Sequence, residues 1–193
     1  MPHTETVSAG ETPYFPFPDN PKTITVGNIR AQEYISPLQM EGLIKTLSNK
    51  ISLKKYEAVL VNMNGGMFLY YYLSRLQNYK KSSIQIEYHR PQEGYGAVIK
   101  IPVPKKYKDK KVLIIDDIYD TGGVFQEIMK NVDSSSQAVV LVTKKDIPNQ
   151  IKIPNILIGV IIDNKWVGGS GMDLGIPGEE NTFRNFPGLV VKI

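Results

Sequence analysis

The run Asp116-Asp117-Ile118-Tyr119-Asp120-Thr121-Gly122-Gly123 sets three carboxylates directly ahead of a Thr-Gly-Gly. Backbone N–H groups at the start of a helix are unpaired and, with the helix dipole, favour a phosphate; glycines let it approach the main chain. A phosphate at Thr121, Gly122, Gly123 and Val124 is therefore the natural ligand. The neighbouring acids would repel that phosphate, so they call for a cation or for hydroxyl groups. A sugar phosphate meets both demands, its vicinal hydroxyls donating to Asp116 and Asp117 while its phosphate lies in the glycine loop.

Such a site needs a strand before it and a helix after it. The apolar run over 112–115 suits a strand buried on both faces, and 124–129 suits a helix, so the acids and glycines are placed at a strand-to-helix turn. In an open parallel sheet, ligands bind where such turns gather beyond the carboxyl ends of the strands. A second turn of this kind is Asn62-Met63-Asn64-Gly65-Gly66, between a strand over 58–61 and a helix from 67 to about 77. Ser36-Pro37-Leu38-Gln39 reads as a helix start with Ser36 as N-cap and Gln39 closing a capping box, and Leu43, Ile44, Leu47 and Ile51 repeat at helical spacing as core. Segments 83–88 and 97–101 alternate like strands, and 138–143 is a further buried strand ending at Lys144-Lys145-Asp146. Tyr70, Tyr71 and Tyr72 cannot all face one way on a helix and are expected to divide between core and surface.

The chain has 193 residues, enough for one domain with a sheet covered on both sides. Its 23 Lys and Arg against 19 Asp and Glu give a net charge of +4. That balance suits nucleotide-sized anions and falls short of a nucleic-acid-binding extreme, so no nucleic acid is expected as a partner. Without cysteine there is no disulfide framework, thiol nucleophile or zinc ribbon. No apolar run is long enough for a membrane span, and the first residues lack the features of a signal peptide, so a cytoplasmic location is the default expectation. Prolines at 2, 13, 16, 18 and 21 deny the N-terminal segment a regular helix or central strand. It reads as an arm whose Tyr14, Phe15 and Phe17 pack on the body or on a neighbouring subunit.

The stretch Ile114-Ile115-Asp116-Asp117-Ile118-Tyr119-Asp120-Thr121-Gly122-Gly123 resembles the phosphoribosyl pyrophosphate signature of the type I phosphoribosyltransferases. Further motifs, spread over roughly 35–190, resemble the hypoxanthine-guanine(-xanthine) branch of that family. The resemblance implies an α/β fold with a central, mostly parallel sheet flanked by helices and a small hood made from terminal segments. It divides the chain into 1–34 as arm and part of the hood, 35–160 as the core, and 161–193 as the purine-binding hood segment and tail. The turn at Asn64-Gly65 is similar to the family's pyrophosphate loop, which implies a non-proline cis peptide at Asn64–Gly65; the family often has Lys where Asn64 stands. His89-Arg90-Pro91-Gln92-Glu93-Gly94-Tyr95-Gly96 occupies the place of the loop that closes over the site, without the family's usual Ser-Tyr pair.

By the same resemblance, Lys144 reaches the exocyclic oxygen of a 6-oxopurine. Asp163-Asn164-Lys165-Trp166-Val167-Gly168-Gly169-Ser170-Gly171-Met172-Asp173-Leu174 resembles the purine-site segment, with Trp166 stacking on the base and Val167 presenting its backbone to the base edge. Thr182-Phe183-Arg184-Asn185 matches a segment whose arginine, here Arg184, clamps the pyrophosphate. Asp120 is implied as the catalytic residue at purine N7, and Asp116, Asp117 and Asp173 as carboxylates around Mg2+. The family's pattern has a hydroxyl residue at Val124 and commonly a tyrosine at Ser170. The implied activity joins hypoxanthine, guanine or xanthine to phosphoribosyl pyrophosphate in a homodimer or homotetramer. Two other readings remain open: a regulator that keeps the fold to sense phosphoribosyl pyrophosphate or nucleotide, and an enzyme for a different base.

Overall fold

A computed structural model describes residues 12–26, 28–90, 97–174 and 182–193. The elements run β1 (Tyr14–Phe15), β2 (Thr23–Val26), β3 (Ile29–Ile35), α1 (Pro37–Lys50), β4 (Ala58–Asn62), α2 (Gly66–Leu76), β5 (Ile84–His89), β6 (Val98–Ile101), β7 (Val112–Tyr119), α3 (Gly123–Met129), β8 (Gln137–Lys144), β9 (Ile156–Ile162), β10 (Val167–Gly168) and β11 (Leu189–Lys192). A seven-stranded sheet has the order β1-β9-β8-β7-β4-β5-β6, parallel throughout except for the edge strand β6. A four-stranded antiparallel sheet, β10-β11-β3-β2, draws on both ends of the chain.

The unbroken apolar runs follow from the two covered faces of the larger sheet. Val59, Val61, Leu113, Ile115, Val139 and Leu141 pack with residues of α1 and α2. Their alternates Leu60, Val112, Ile114, Ala138 and Val140 pack with Phe125 and Ile128 of α3 on the other side. With both faces dry, the interior positions of these strands are apolar up to the carboxyl ends, where side chains leave the core and chemistry begins.

Helix α1 starts as its sequence demands: the Ser36 side chain accepts from the Gln39 amide, the Gln39 side chain returns to the Ser36 backbone, and Pro37 opens the first turn. Met40, Leu43, Ile44 and Leu47 form its buried stripe. Of the tyrosine trio in α2, Tyr71 is 51% exposed, while Tyr70 and Tyr72 pack partly against the core.

Two expectations are corrected. Strand β7 does not stop at the acids but runs through them to Tyr119, because Asp116, Ile118 and Tyr119 stay in parallel register with Val140, Val142 and Thr143. Asp116 and Asp117 therefore sit in the last residues of a strand, and only Asp120 to Gly122 form the turn. The cis peptide lies one bond earlier than expected, between Met63 and Asn64. Gly65 already has helical angles, φ −61° and ψ −48°, and the Met67 amide reaches the Asn64 carbonyl at 3.4 Å, so the change of direction is completed before Gly65.

The described part of the proline-rich arm packs on the body. Tyr14 and Phe15 pair parallel with Ile161 and Ile162 of β9. Among the described residues, no helix is long and apolar enough to cross a membrane.

Candidate active site

The carboxyl ends of β4, β7 and β8 meet the start of β10 around a cavity of about 310 Å³. Its walls contain Asn64, Gly65, Asp116, Asp117, Asp120, Thr121, Gly122, Val124, Lys144, Trp166, Val167, Asp173 and Arg184, which are all the residues singled out from the sequence except Gly123. Gly123 is buried as the first residue of α3.

Asp116 is 6% exposed and is held on both oxygens: Asn62 Nδ2 donates to one at 2.8 Å and the Asp117 amide to the other at 2.9 Å. Asn62 is itself clamped, donating to the Tyr88 carbonyl at 3.0 Å and accepting from the Tyr88 amide at 2.8 Å. Burial, and next the charge of Asp117, push the Asp116 carboxyl well above the usual carboxylate range. Burial pushes Asp117 up as well, with the hydrogen bond from the Ile118 amide at 2.7 Å and the nearby Arg184 acting the other way. Two adjacent carboxylates held short of water form a place where a cation or hydroxyl donors are strongly favoured.

Gly65 is required by packing: a Cβ built there would overlap the Asp117 carboxylate. Gly122 is required by conformation, with φ +87°, and a Cβ there would also stand 2.6 Å from the Ile151 carbonyl. The loop is pinned from outside by the Ile151 amide on the Thr121 carbonyl at 2.8 Å, Gln150 Nε2 on the Asp120 carbonyl at 2.7 Å, and the Tyr119 hydroxyl on the Ile151 carbonyl.

Asp120 faces two cations on one oxygen, Arg90 Nη1 at 2.8 Å and Lys144 Nζ at 3.8 Å. Lys144, the last residue of β8, is 9% exposed, and its ammonium lies 5.4 Å from the centre of the Trp166 ring. A lone tryptophan is most often a core residue, yet Trp166 is 59% exposed, with its indole N–H fixed to the Leu174 carbonyl at 2.9 Å. A flat ring held at one edge and open on its surface is a stacking platform.

Asp173 and Arg184 engage each other at 3.3 Å, and Arg184 Nη1 also donates to the Gly171 carbonyl at 2.5 Å. Among the described residues no three His, Cys, Asp or Glu side chains converge as a metal site. Ser170 is fully buried and donates to the Gly188 carbonyl at 3.0 Å, a place for a small hydroxyl residue. Of the closing loop expected over 89–96, His89 is the last residue of β5 and Arg90 reaches Asp120, while residues 91–96 lie outside the described residues.

Two wall residues that bond the predicted acids, Asn62 and Arg90, were given no role from the sequence. Asn62 had a signal, since a polar residue ending a fully buried apolar strand needs a partner. Arg90 had none, because its partner Asp120 is brought to it only by the sheet order.

No family model matches the sequence. A search of curated proteins matches the hypoxanthine-guanine phosphoribosyltransferase of Schistosoma mansoni, 34% identical over 74 residues, covering 36% of this chain and 25% of that protein. The chain thus aligns with about a quarter of the length of this relative. Among solved structures, the hypoxanthine phosphoribosyltransferase of Trypanosoma cruzi in complex with its product IMP superposes with a TM-score of 0.67 at 19% identity, covering 91% of this chain and 96% of that one. The chain has the type I phosphoribosyltransferase fold, in the form taken by hypoxanthine phosphoribosyltransferases. The hypoxanthine phosphoribosyltransferase of Staphylococcus aureus agrees, with a TM-score of 0.63 at 19% identity over 83% of this chain and 90% of that one. In this phosphoribosyltransferase frame the cavity lies beyond the carboxyl ends of the parallel strands, where open α/β sheets hold their ligands.

Proposed function

We propose that the chain transfers the phosphoribosyl group of phosphoribosyl pyrophosphate to a 6-oxopurine (hypoxanthine, guanine or xanthine), giving the nucleoside 5′-monophosphate and pyrophosphate. One observation carries this reading. A single cavity wall holds an acid pair, buried at Asp116 and half-buried at Asp117, a glycine loop, and a carboxylate and lysine beside an exposed indole. Those are the complements of a ribose diol, a 5′-phosphate and a purine.

In this reading Thr121, Gly122, Gly123 and Val124 hold the 5′-phosphate through main-chain N–H groups, with no side-chain hydroxyl at Val124 to add to them. Asp116 and Asp117 accept from the ribose hydroxyls. Asn64 and Gly65, with Arg184, face the pyrophosphate; a guanidinium fork matches its oxygens and stabilises charge on the departing group. Trp166 stacks on the base and the Val167 main chain meets its edge. Lys144 donates to the 6-oxo group, where charge grows in an oxocarbenium-like transition state, and an amino group at that position has no lone pair to offer it. Asp120 accepts the purine N7 proton and is the catalytic residue. Arg90, on the same carboxylate, holds it in one orientation.

The donor set fits Mg2+, which takes one or two carboxylates and fills its remaining positions with substrate oxygens and water. Asp116 and Asp117 would hold it on the ribose side and Asp173 through its water shell. The ion supplies charge neutralisation for the pyrophosphate as it leaves. The smaller sheet and the segment 161–193 serve as the hood over the base. The working form is a cytoplasmic homodimer or homotetramer, which light scattering of the purified chain checks.

The test is pyrophosphate release with Mg2+, phosphoribosyl pyrophosphate and each base in turn. Release is expected with at least one 6-oxopurine and not with adenine. Release only with a base lacking the 6-oxo group would assign a different substrate, and none with any base would favour a sensor of phosphoribosyl pyrophosphate.

A further inference from the structure

None of the described residues of the N-terminal arm lines the cavity, yet the arm is bonded to the segment that carries Trp166. The link is Asp163, just past the end of β9. Its two carboxylate oxygens are both taken by the arm: the Tyr14 hydroxyl donates to one at 2.5 Å and the Phe17 amide to the other at 2.8 Å. Its own amide donates to the Tyr34 hydroxyl at 2.8 Å, and that hydroxyl donates back to the Phe15 carbonyl at 2.8 Å. Its carbonyl accepts from the Lys165 amide at 2.7 Å, closing a tight bend one residue before Trp166.

The neighbours of the base-facing pair are tied to the same arm. The Lys165 ammonium lies 4.6 Å from the centre of the Phe17 ring, and Phe17 packs edge-on against Tyr34 with centroids 5.2 Å apart. On the adjacent strand Lys145, next to Lys144, donates its amide to the Ile162 carbonyl at 2.7 Å and sets its ammonium 5.0 Å from the Tyr14 ring. The hydrogen bond from Tyr14, and then that from the Phe17 amide, hold the Asp163 carboxyl below the usual carboxylate range, so the acceptor stays ionised at neutral pH.

We propose that Asp163 is a positioning residue for the base side of the site, fixed by the arm: with both oxygens occupied by Tyr14 and Phe17, it sets the bend that aims Trp166 beside Lys144. The assignment rests on the purine-transfer reading for its kinetic consequence, but its structural half does not. Downstream of the bend, Trp166 is held by its own hydrogen bond to Leu174 and by the pairing of Val167 with Val191. Upstream, the arm holds the Asp163 carboxylate, while the Tyr34 hydroxyl and the pairing of β9 with β8 hold its main chain. A ring that must lie flat against a base tolerates little rotation, so loosening one of these two anchors weakens base binding and leaves the ribose and phosphate contacts alone.

The experiment compares the full chain with Asp163→Asn and Tyr14→Phe. It reads the Michaelis constants for purine and for phosphoribosyl pyrophosphate, the thermal midpoint, and acrylamide quenching of Trp166, the only tryptophan. Asp163→Asn should raise the purine KM about tenfold and Tyr14→Phe about threefold, the scale of losing one charge-assisted hydrogen bond wholly or in part. The phosphoribosyl pyrophosphate KM should stay within about twofold, since a bond outside the cavity is lost and no ligand contact is. Trp166 quenching in the empty protein should increase in both variants. Equal rises in both KM values alongside a lower thermal midpoint would mean general loosening and overturn the proposal, as would unchanged Trp166 quenching. Should the wild-type chain transfer no purine, the purine-transfer reading falls, and the quenching result alone decides whether the arm positions Trp166.

Discussion

The ribose-phosphate side of the cavity and the base side are built in opposite ways. The first is one continuous stretch from Asp116 to Val124, a strand end, a turn and a helix start, whose acids are bonded to immediate neighbours and to Asn62. The second is assembled from the end of β8, the turn at Asp120, Arg90 just past β5, and the hood residues Trp166 and Val167, held by contacts between distant segments. A contiguous wall takes its order from the chain itself and is pinned by a few bonds from Asn62, Gln150 and Ile151. An assembled wall depends on every element that brings its parts together, so the two sides should fail separately when cut.

The deepest cut is at Asp120, where the sides touch. Asp120→Asn should lower turnover roughly 10²–10⁴-fold, the range for a proton acceptor at the reacting group, and leave phosphoribosyl pyrophosphate binding nearly intact by calorimetry. A near-normal rate would remove Asp120 from the chemistry. Gly65→Ala drives a methyl group into the Asp117 carboxylate and should cost roughly 1–3 kcal/mol of stability, as overpacking does, together with most of the affinity for phosphoribosyl pyrophosphate. Trp166→Ala should raise the purine KM about tenfold through lost stacking while the phosphoribosyl pyrophosphate KM holds. Equal effects of either change on both substrates would erase the distinction between the two sides.

The smallest effect concerns pH. The Asp116 and Asp117 carboxyls are raised in the folded chain, chiefly by burial. Their contribution to stability is therefore fully present below the ordinary carboxylate pKa and is lost as pH rises through the raised folded values. Without Mg2+ the thermal midpoint should fall over that interval, and Asp117→Asn should relieve it at neutral pH. A gain of about 1 kcal/mol would lift Tm by about 2–4 °C in a chain of this size. Adding Mg2+ with phosphoribosyl pyrophosphate should restore the wild-type midpoint and do little for the variant.

The same contrast explains what the sequence disclosed. The runs ending at Asn62, Asp117 and Lys144 are legible because a strand buried on both faces must be apolar and must turn polar where it leaves the core. The capping box at Ser36 is a local rule with a local outcome. The course of β7 through Asp116 to Tyr119 was not legible, since its pairing with β8 persists where the apolar pattern stops. The Arg90–Asp120 pair and the Asp163 latch join residues far apart in the chain. Spacing and periodicity report on neighbours along the chain, and none of these features is a relation between neighbours.

The most direct measurement is the nucleotide formed in a single turnover by the wild-type chain with phosphoribosyl pyrophosphate and hypoxanthine, followed by chromatography with and without Mg2+. Inosine 5′-monophosphate and pyrophosphate should appear in equal amounts and only with the metal. Tight binding of phosphoribosyl pyrophosphate with no nucleotide formed from hypoxanthine, guanine or xanthine would contradict the purine-transfer assignment.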